Sequence, residues 1–152
     1  MLIRRATSTD KPELLKLIDE IDQDYSTSNR RAQFNWPLSK AESILNHYFV
    51  LLTFGDGGES QALICYQELS GDYEIIALGV SPRFQNKGLM RKLLGHFVDF
   101  VCTKESKIFL EVHEKNTRAL RLYESSGFRI DGIRKNYYSD GSAALNLSKI
   151  SI

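Results

Sequence analysis

Leu78-Gly79-Val80-Ser81-Pro82-Arg83-Phe84-Gln85-Asn86-Lys87-Gly88-Leu89-Met90-Arg91-Lys92-Leu93-Leu94 decides how this chain is read. It begins as an apolar strand, turns at Ser81-Pro82, passes through a short basic loop and continues as an amphipathic helix. Such a loop leaves the first backbone N–H groups of the helix without intrahelical acceptors, just above the strand end. Those donors and the positive end of the helix dipole favour an anion, above all a phosphate or pyrophosphate. Gly88 lets the backbone approach a ligand closely, and Lys87 and Arg91 add positive charge. The stretch is not a Walker loop, because no Gly-Lys-Ser/Thr follows a four-residue spacer. It is not a dinucleotide fingerprint, which needs three glycines. A plain loop before a helix satisfies the same residues, so the phosphate reading needs support from elsewhere in the chain.

Outward from this stretch, Leu2 to Ala6 reads as a short strand. Asp10 with Glu13 is an expected capping box, with Pro12 in the first turn. Leu14, Leu15, Leu17, Ile18 and Ile21 then form an apolar helical stripe. Asp24 to Asn35 is polar and irregular and leads to Trp36-Pro37. Ser39 to Glu42 is a second capping box that starts a short helix to about His47. Tyr48 to Phe54 and Gln61 to Leu69 read as strands around Gly55-Asp56-Gly57-Gly58. A third strand, Tyr73 to Val80, follows the turn Ser70-Gly71-Asp72. Its run Ile75-Ile76-Ala77-Leu78 fits a central strand covered on both faces. Gly88 to about Val101 is helical, Lys107 to Val112 is a strand, and Asn116 to Ser126 is a helix ended by Gly127. Phe128 to Tyr138 and Ala143 to Ile150 form a final hairpin around Ser139-Asp140-Gly141. The order β-α-α-β-β-β-α-β-α-β-β predicts an α/β (mixed α+β) fold, one domain over residues 1–152, with a mixed sheet and helices on both faces.

The 152 residues suffice for one domain with a real core. Lys and Arg number 20 against 19 Asp and Glu, a net charge of +1. No global field therefore argues for direct nucleic-acid or membrane binding. No apolar run reaches the roughly 18 residues of a membrane span, and Met1-Leu2-Ile3-Arg4-Arg5 lacks a signal-peptide core. Cys65 falls in a strand and Cys102 at a helix end. Neither has metal-ligand spacing, and His47, His96 and His113 do not cluster. Buried free thiols, no metal and a cytoplasmic setting are expected.

Gln85-Asn86-Lys87-Gly88-Leu89-Met90 resembles the acyl-CoA pyrophosphate loop of the GNAT acetyltransferases, Gln/Arg-x-x-Gly-x-Gly/Ala, which follows a strand like the one ending near Val80. After the strand Phe109-Leu110-Glu111-Val112, the run from Asn116 to Phe128 resembles the superfamily's Asn-x-x-Ala-x-x-Leu-Tyr-x-x-x-Gly-Phe helix. Arg134-Lys135-Asn136-Tyr137-Tyr138 is similar to a narrower signature, that of the ribosomal-protein-alanine N-acetyltransferases (the RimI family). The similarity is dense from about Tyr73 to Leu147 and thinner before it. It implies the GNAT fold, a mostly antiparallel sheet in which two adjacent parallel strands splay into a V-shaped acyl-CoA cleft. It also implies acetyl-CoA as cosubstrate and direct transfer to an amine, at best the N-terminal α-amine of a protein such as a ribosomal-protein alanine. A monomer or weak homodimer is expected. The alternatives are a small-molecule amine or a lysine as acceptor, or a non-catalytic acyl-CoA sensor.

Acetyl transfer needs an anchored donor, a neutral amine, a polarised thioester carbonyl and a proton for the leaving thiolate. The resemblance assigns the pyrophosphate to the backbone of Gln85, Asn86, Lys87, Gly88, Leu89 and Met90, with Arg91 beside them. Met90 departs from the family's Gly or Ala; binding survives if its amide donates while its side chain points to solvent or the cofactor flank. A strand amide, of Leu78 or of Val80, polarises the carbonyl. Tyr123, otherwise an ordinary half-buried helix tyrosine, becomes the general acid toward the CoA sulfur and touches the cofactor. Asn116 reads as a helix N-cap and, by resemblance, as a ligand of the cofactor arm. Glu111 is an exposed strand residue or the proton acceptor, acting through water; Glu74, at the start of the other splayed strand, is the second candidate for handling the amine. Tyr137 and Tyr138 read as an edge strand by propensity and, by resemblance, as a wall over the acceptor's first residue. Trp36 is the candidate for the opposite wall.

Overall fold

We describe residues 1–27 and 41–152 of a computed structural model. Chain order sets up one seven-stranded sheet. Strand β1 is Leu2–Arg5, and β2, β3 and β4 are Phe49–Phe54, Ser60–Leu69 and Asp72–Val80. Strand β5 is Lys107–His113, β6 is Arg129–Arg134 and β7 is Ala144–Ile150. The spatial order is β1-β2-β3-β4-β5-β7-β6. Every pairing is antiparallel except β4 with β5. Helices α1 (Lys11–Thr27) and α2 (Ala41–His47) pack on one face, and α3 (Leu89–His96) and α4 (Thr117–Ser125) on the other. Two apolar clusters result. Leu14, Leu17 and Ile21 of α1 meet Val50, Leu52 and Leu63 in one; Leu93, Phe97, Val112, Tyr123 and Leu147 meet in the other.

The parallel pair is what makes a site. Strands β4 and β5 pair only at Tyr73↔Ile108 and Glu74↔Phe109. Beyond that they diverge, although β4 runs on to Val80 and β5 to His113. Strand β4 stays bonded to β3 along its length, with Ile76 as an extra residue between the pairs Cys65↔Ala77 and Tyr66↔Ile75. Bulges of this kind bend a strand and increase its twist, which suits a strand that must leave its parallel neighbour.

The elements fall where periodicity puts them, with four differences. Helix α1 continues to Thr27, through residues the sequence marks as irregular. Its polar end finds partners in the β4–α3 loop: Glu20 accepts from Ser81 Oγ at 2.6 Å, and Asp24 from Gln85 at 3.1 Å. Tertiary hydrogen bonds thus extend a helix that local propensity would end. The α1 cap also lies earlier than Asp10/Glu13, because the Thr7 amide donates to Asp10 Oδ2 at 2.7 Å and a 3-10 turn, Ser8–Asp10, leads into the helix. Helix α3 is shorter than expected and passes into a π-turn, Phe97–Val101, closed by the Cys102 amide on Phe97 O. The adjacent Phe97 and Val98 are both buried there.

The fourth difference concerns Tyr137 and Tyr138, which are not on a strand. Strand β6 stops at Arg134, Asn136 takes a left-handed φ of 52°, and both tyrosine amides donate to Ser142 O at 3.1 Å. No helix among the described residues is long and apolar enough to cross a membrane.

Candidate active site

A cavity of about 240 Å³ fills the space opened by the splay. Its walls are the end of β4, the loop and first turn of α3, and the first turn of α4. Of the residues singled out for cofactor binding, Leu78, Val80, Gln85, Asn86, Gly88, Leu89, Met90, Arg91 and Asn116 line it. Lys87 does not, and its ammonium lies 5.4 Å from the Phe84 ring centroid. Tyr123 is buried behind the wall at 6 % exposure, in edge-to-face contact with Phe128.

The loop geometry suits an anion. Asn86 and Gly88 both have left-handed backbones, φ 60° and 71°, and alternating conformations of this type turn successive amides toward one point. The first intrahelical bond of α3 runs from Lys92 N–H to Gly88 O. The amides of Gly88, Leu89, Met90 and Arg91 therefore have no acceptor inside the helix. A Cβ at Gly88 would meet nothing within 4 Å, so the space there is open. Met90 packs into the core at 8 % exposure, beside Leu93 and Leu94. Its side chain thus points inward, not to solvent, and the helix carries it within ordinary packing.

Ladder alternation orients the strand amides. Ser81 N–H donates to Gln61 O at 2.9 Å, and Val80 faces Ala62 in the register. In an antiparallel pair the bonded positions alternate. Gly79 and Ala77 therefore bond to β3, and the amides of Leu78 and Val80 face the side that β5 has vacated. Gly79 lies close under α1: a Cβ there would come within 2.7 Å of Ile21 Cδ1, so the isoleucine side chain would have to shift.

Strand alternation also separates two of the candidate residues. Ile108, Leu110 and Val112 of β5 belong to the cluster that holds Tyr123, so Glu111 projects from the opposite face. Glu111 is 29 % exposed at its side chain and pairs with Arg134 at 3.3 Å. Glu74 shares that parity with the β5 partner Phe109 but sits at the closed end of the splay, where it accepts from Gln67 at 2.5 Å. Tyr138 lies near Glu111, and burial first, then that charge, pushes its phenol upward. Tyr137 is exposed, with the Arg134 guanidinium 5.6 Å from its ring centroid. Trp36 lies outside the described residues. Burial pushes the thiols of Cys65 and Cys102 up to about 12, which leaves both poor nucleophiles. No cluster of metal-ligating side chains occurs among the described residues.

Two features went unread in the sequence. Arg118, in the first turn of α4, reaches across the cavity mouth to Asn86 Oδ1 at 3.1 Å and Gln85 Oε1 at 3.4 Å. A cation in a first turn opposes the helix dipole, and that anomaly is the signal that could have marked it. His113 is buried against Tyr138; a lone histidine ending an apolar strand carries no such signal.

The model of the acetyltransferase (GNAT) family matches residues 11–128. The chain belongs to the GNAT family. Among GNAT relatives, the [ribosomal protein bS18]-alanine N-acetyltransferase of Escherichia coli is 30 % identical over 115 residues, 75 % of this chain and 78 % of that protein. The N-alpha-acetyltransferase RimI of Mycobacterium tuberculosis is 40 % identical over 67 residues, 44 % of this chain but only 41 % of that protein's length. A crystal structure of the Escherichia coli ribosomal-protein-alanine N-acetyltransferase superposes with a TM-score of 0.76 at 26 % identity, covering 99 % of this chain and 93 % of that one. The mixed sheet and splayed parallel pair are thus the GNAT fold, as the motifs implied.

Proposed function

We propose that residues 1–152 form one catalytic domain that transfers the acetyl group of acetyl-CoA directly to the N-terminal α-amine of a protein, in the cytoplasm. The observation that best supports this reading is the parting of β4 and β5 after two residue pairs, beside a cavity lined by the α3 loop, with Glu111 on the sheet face opposite the cluster that holds Tyr123. The names and identities of the relatives support the acceptor class.

The α3 loop amides hold the diphosphate of the donor, and Asn116, whose side chain caps α4 by accepting from Ala119 N–H at 3.2 Å, flanks its arm. When bound, acetyl-CoA supplies an activated thioester. The amide of Leu78 or Val80 donates to the carbonyl oxygen as negative charge develops on it. Glu111 takes the proton of the attacking amine through water, and Tyr123 gives its phenolic proton to the leaving sulfur. An α-amine has a pKa of about 7.7–8.0, against about 10.4 for lysine, so a solvent-accessible carboxylate is base enough. The basicity of neither cysteine supports an acyl-enzyme. Tyr137 and Tyr138 flank the acceptor's first residue.

Release of CoA from acetyl-CoA tests the reading. An alanine-initiated basic peptide should turn over. The same peptide with a blocked α-amine, free lysine and a polyamine should not. Turnover of the blocked peptide or the small amines alone would overturn the acceptor assignment.

A further inference from the structure

The end of β5 carries a buried histidine that the proposed acetyl transfer does not use. Both ring nitrogens of His113 are engaged. Nδ1 accepts the Lys115 amide at 3.0 Å, and Nε2 lies 3.1 Å from Asp140 Oδ2. A backbone amide can only donate, so Nδ1 bears the lone pair and the ring hydrogen sits on Nε2, aimed at the carboxylate. The ring lies against Tyr138, centroids 4.5 Å apart at 32°. Asp140 is itself fixed, its Oδ1 accepting the Ser142 amide at 2.9 Å. Ser142 O in turn accepts both tyrosine amides. On the next residues, the Ala143 amide donates to Glu114 Oε1 at 2.8 Å, and the Glu114 amide donates to Ala143 O at 3.0 Å. Residues 135–143 are therefore fastened to the end of β5 by side-chain and backbone bonds together.

We propose that His113 and Asp140 are positioning residues, whose hydrogen bond and ring contact hold Tyr138 as a preset wall of the acceptor pocket beside Glu111. This rests on reading the Glu111 face as the acceptor's side. A connection of nine residues between β6 and β7 would otherwise pay its ordering entropy at each binding event. Fixing it beforehand lowers that cost for the acceptor and does nothing for the donor, which binds across the sheet against α3 and α4. The effect of losing the tie thus belongs in the acceptor KM.

The test uses the full chain and three variants, Asp140→Ala, His113→Ala and His113→Gln. Hydrogen exchange of residues 135–143 should quicken about tenfold or more in the two alanine variants, while β5 and α4 keep their protection. With the alanine-initiated peptide, the acceptor KM should rise about tenfold and the acetyl-CoA KM should stay unchanged. His113→Gln, whose amide nitrogen can still donate to Asp140, should recover most of the acceptor KM. Asp140 is partly exposed, so its variant reports even if His113→Ala does not fold. Unchanged exchange in Asp140→Ala, or a parallel rise in both KM values, overturns the proposal. If the wild type accepts no N-terminal peptide, only the N-terminal reading fails; the exchange result still decides the tie, and the KM split is read on the amine that is accepted.

Discussion

Tyr123 illustrates how much one side chain depends on its surroundings. Alone, it is a helix tyrosine packed on Phe128; behind the cleft wall it is the acid proposed for the leaving sulfur. Tyr123→Phe should lower kcat about 10²-fold or more while leaving acetyl-CoA affinity intact, read by steady-state kinetics beside equilibrium binding. The two carboxylates can be separated in the same way. Glu111 opens toward solvent beside Arg134, whereas Glu74 is held by Gln67 where the strands are still paired. Glu111→Gln should therefore cost about 10²-fold in kcat/KM, recovering as pH rises through about 8 and the α-amine neutralises unaided. Glu74→Gln should stay within a few-fold, and the reverse ranking would move the base to Glu74. At this scale the sequence was informative where a residue sat inside a motif: most of the cavity-lining loop and Asn116 were legible, whereas Tyr123 lies buried behind that wall. Arg118, His113 and Asp140 were not, because their roles arise from contacts across 30 or so residues of chain, which no local pattern encodes.

Among the elements, α1 does most to place the loop it never joins in sequence. Its cap carries a testable pH dependence. The Arg4 guanidinium, hydrogen-bonded to Asp10 at 2.8 Å, is the main cause that holds the Asp10 carboxyl down to about 2. A carboxylate depressed in the folded state stabilises above its unfolded pKa, near 3.9, and loses that contribution as pH falls toward 2. Asp10→Ala should cost about 1 kcal/mol at neutral pH by urea denaturation, a difference that shrinks between about pH 4 and pH 2. The crossing of α1 over β4 depends on Gly79. Gly79→Ala should destabilise by about 1–3 kcal/mol, and Ile21→Val, which removes the clashing Cδ1, should recover much of that in a double-mutant cycle. Most strand and helix positions followed from periodicity to within a residue or two, but α3 gives way to a π-turn after His96, five residues before its expected end. The end of α1 and the fate of Tyr137 and Tyr138 did not, because hydrogen bonds to the β4–α3 loop and to Ser142 overrode local preference.

For the molecule as a whole, one departure from regular pairing makes the function possible. A sheet whose other neighbours stay paired, apart from local bulges, abandons its single parallel pair after Glu74 and Phe109, and the opening lies between the helix layers. The cavity faces α3 and α4, and Glu111 and Tyr138 stand on the other side. The element order foretold the mixed sheet, and the motifs foretold where it would open. The acceptor is what the chain states least directly: the proposed walls are the connection between β6 and β7, whose conformation is set by contacts distant in sequence, and Trp36, which lies outside the described residues. The most direct test is mass spectrometry, with fragmentation, of an alanine-initiated basic peptide incubated with acetyl-CoA and either the wild type or Tyr123→Phe. A single acetyl group on the α-amine, formed about 10²-fold more slowly by the variant, is the predicted result. Acetyl-CoA binding without any α-amine acetylation, or acetylation that proceeds equally fast in the variant, would contradict it.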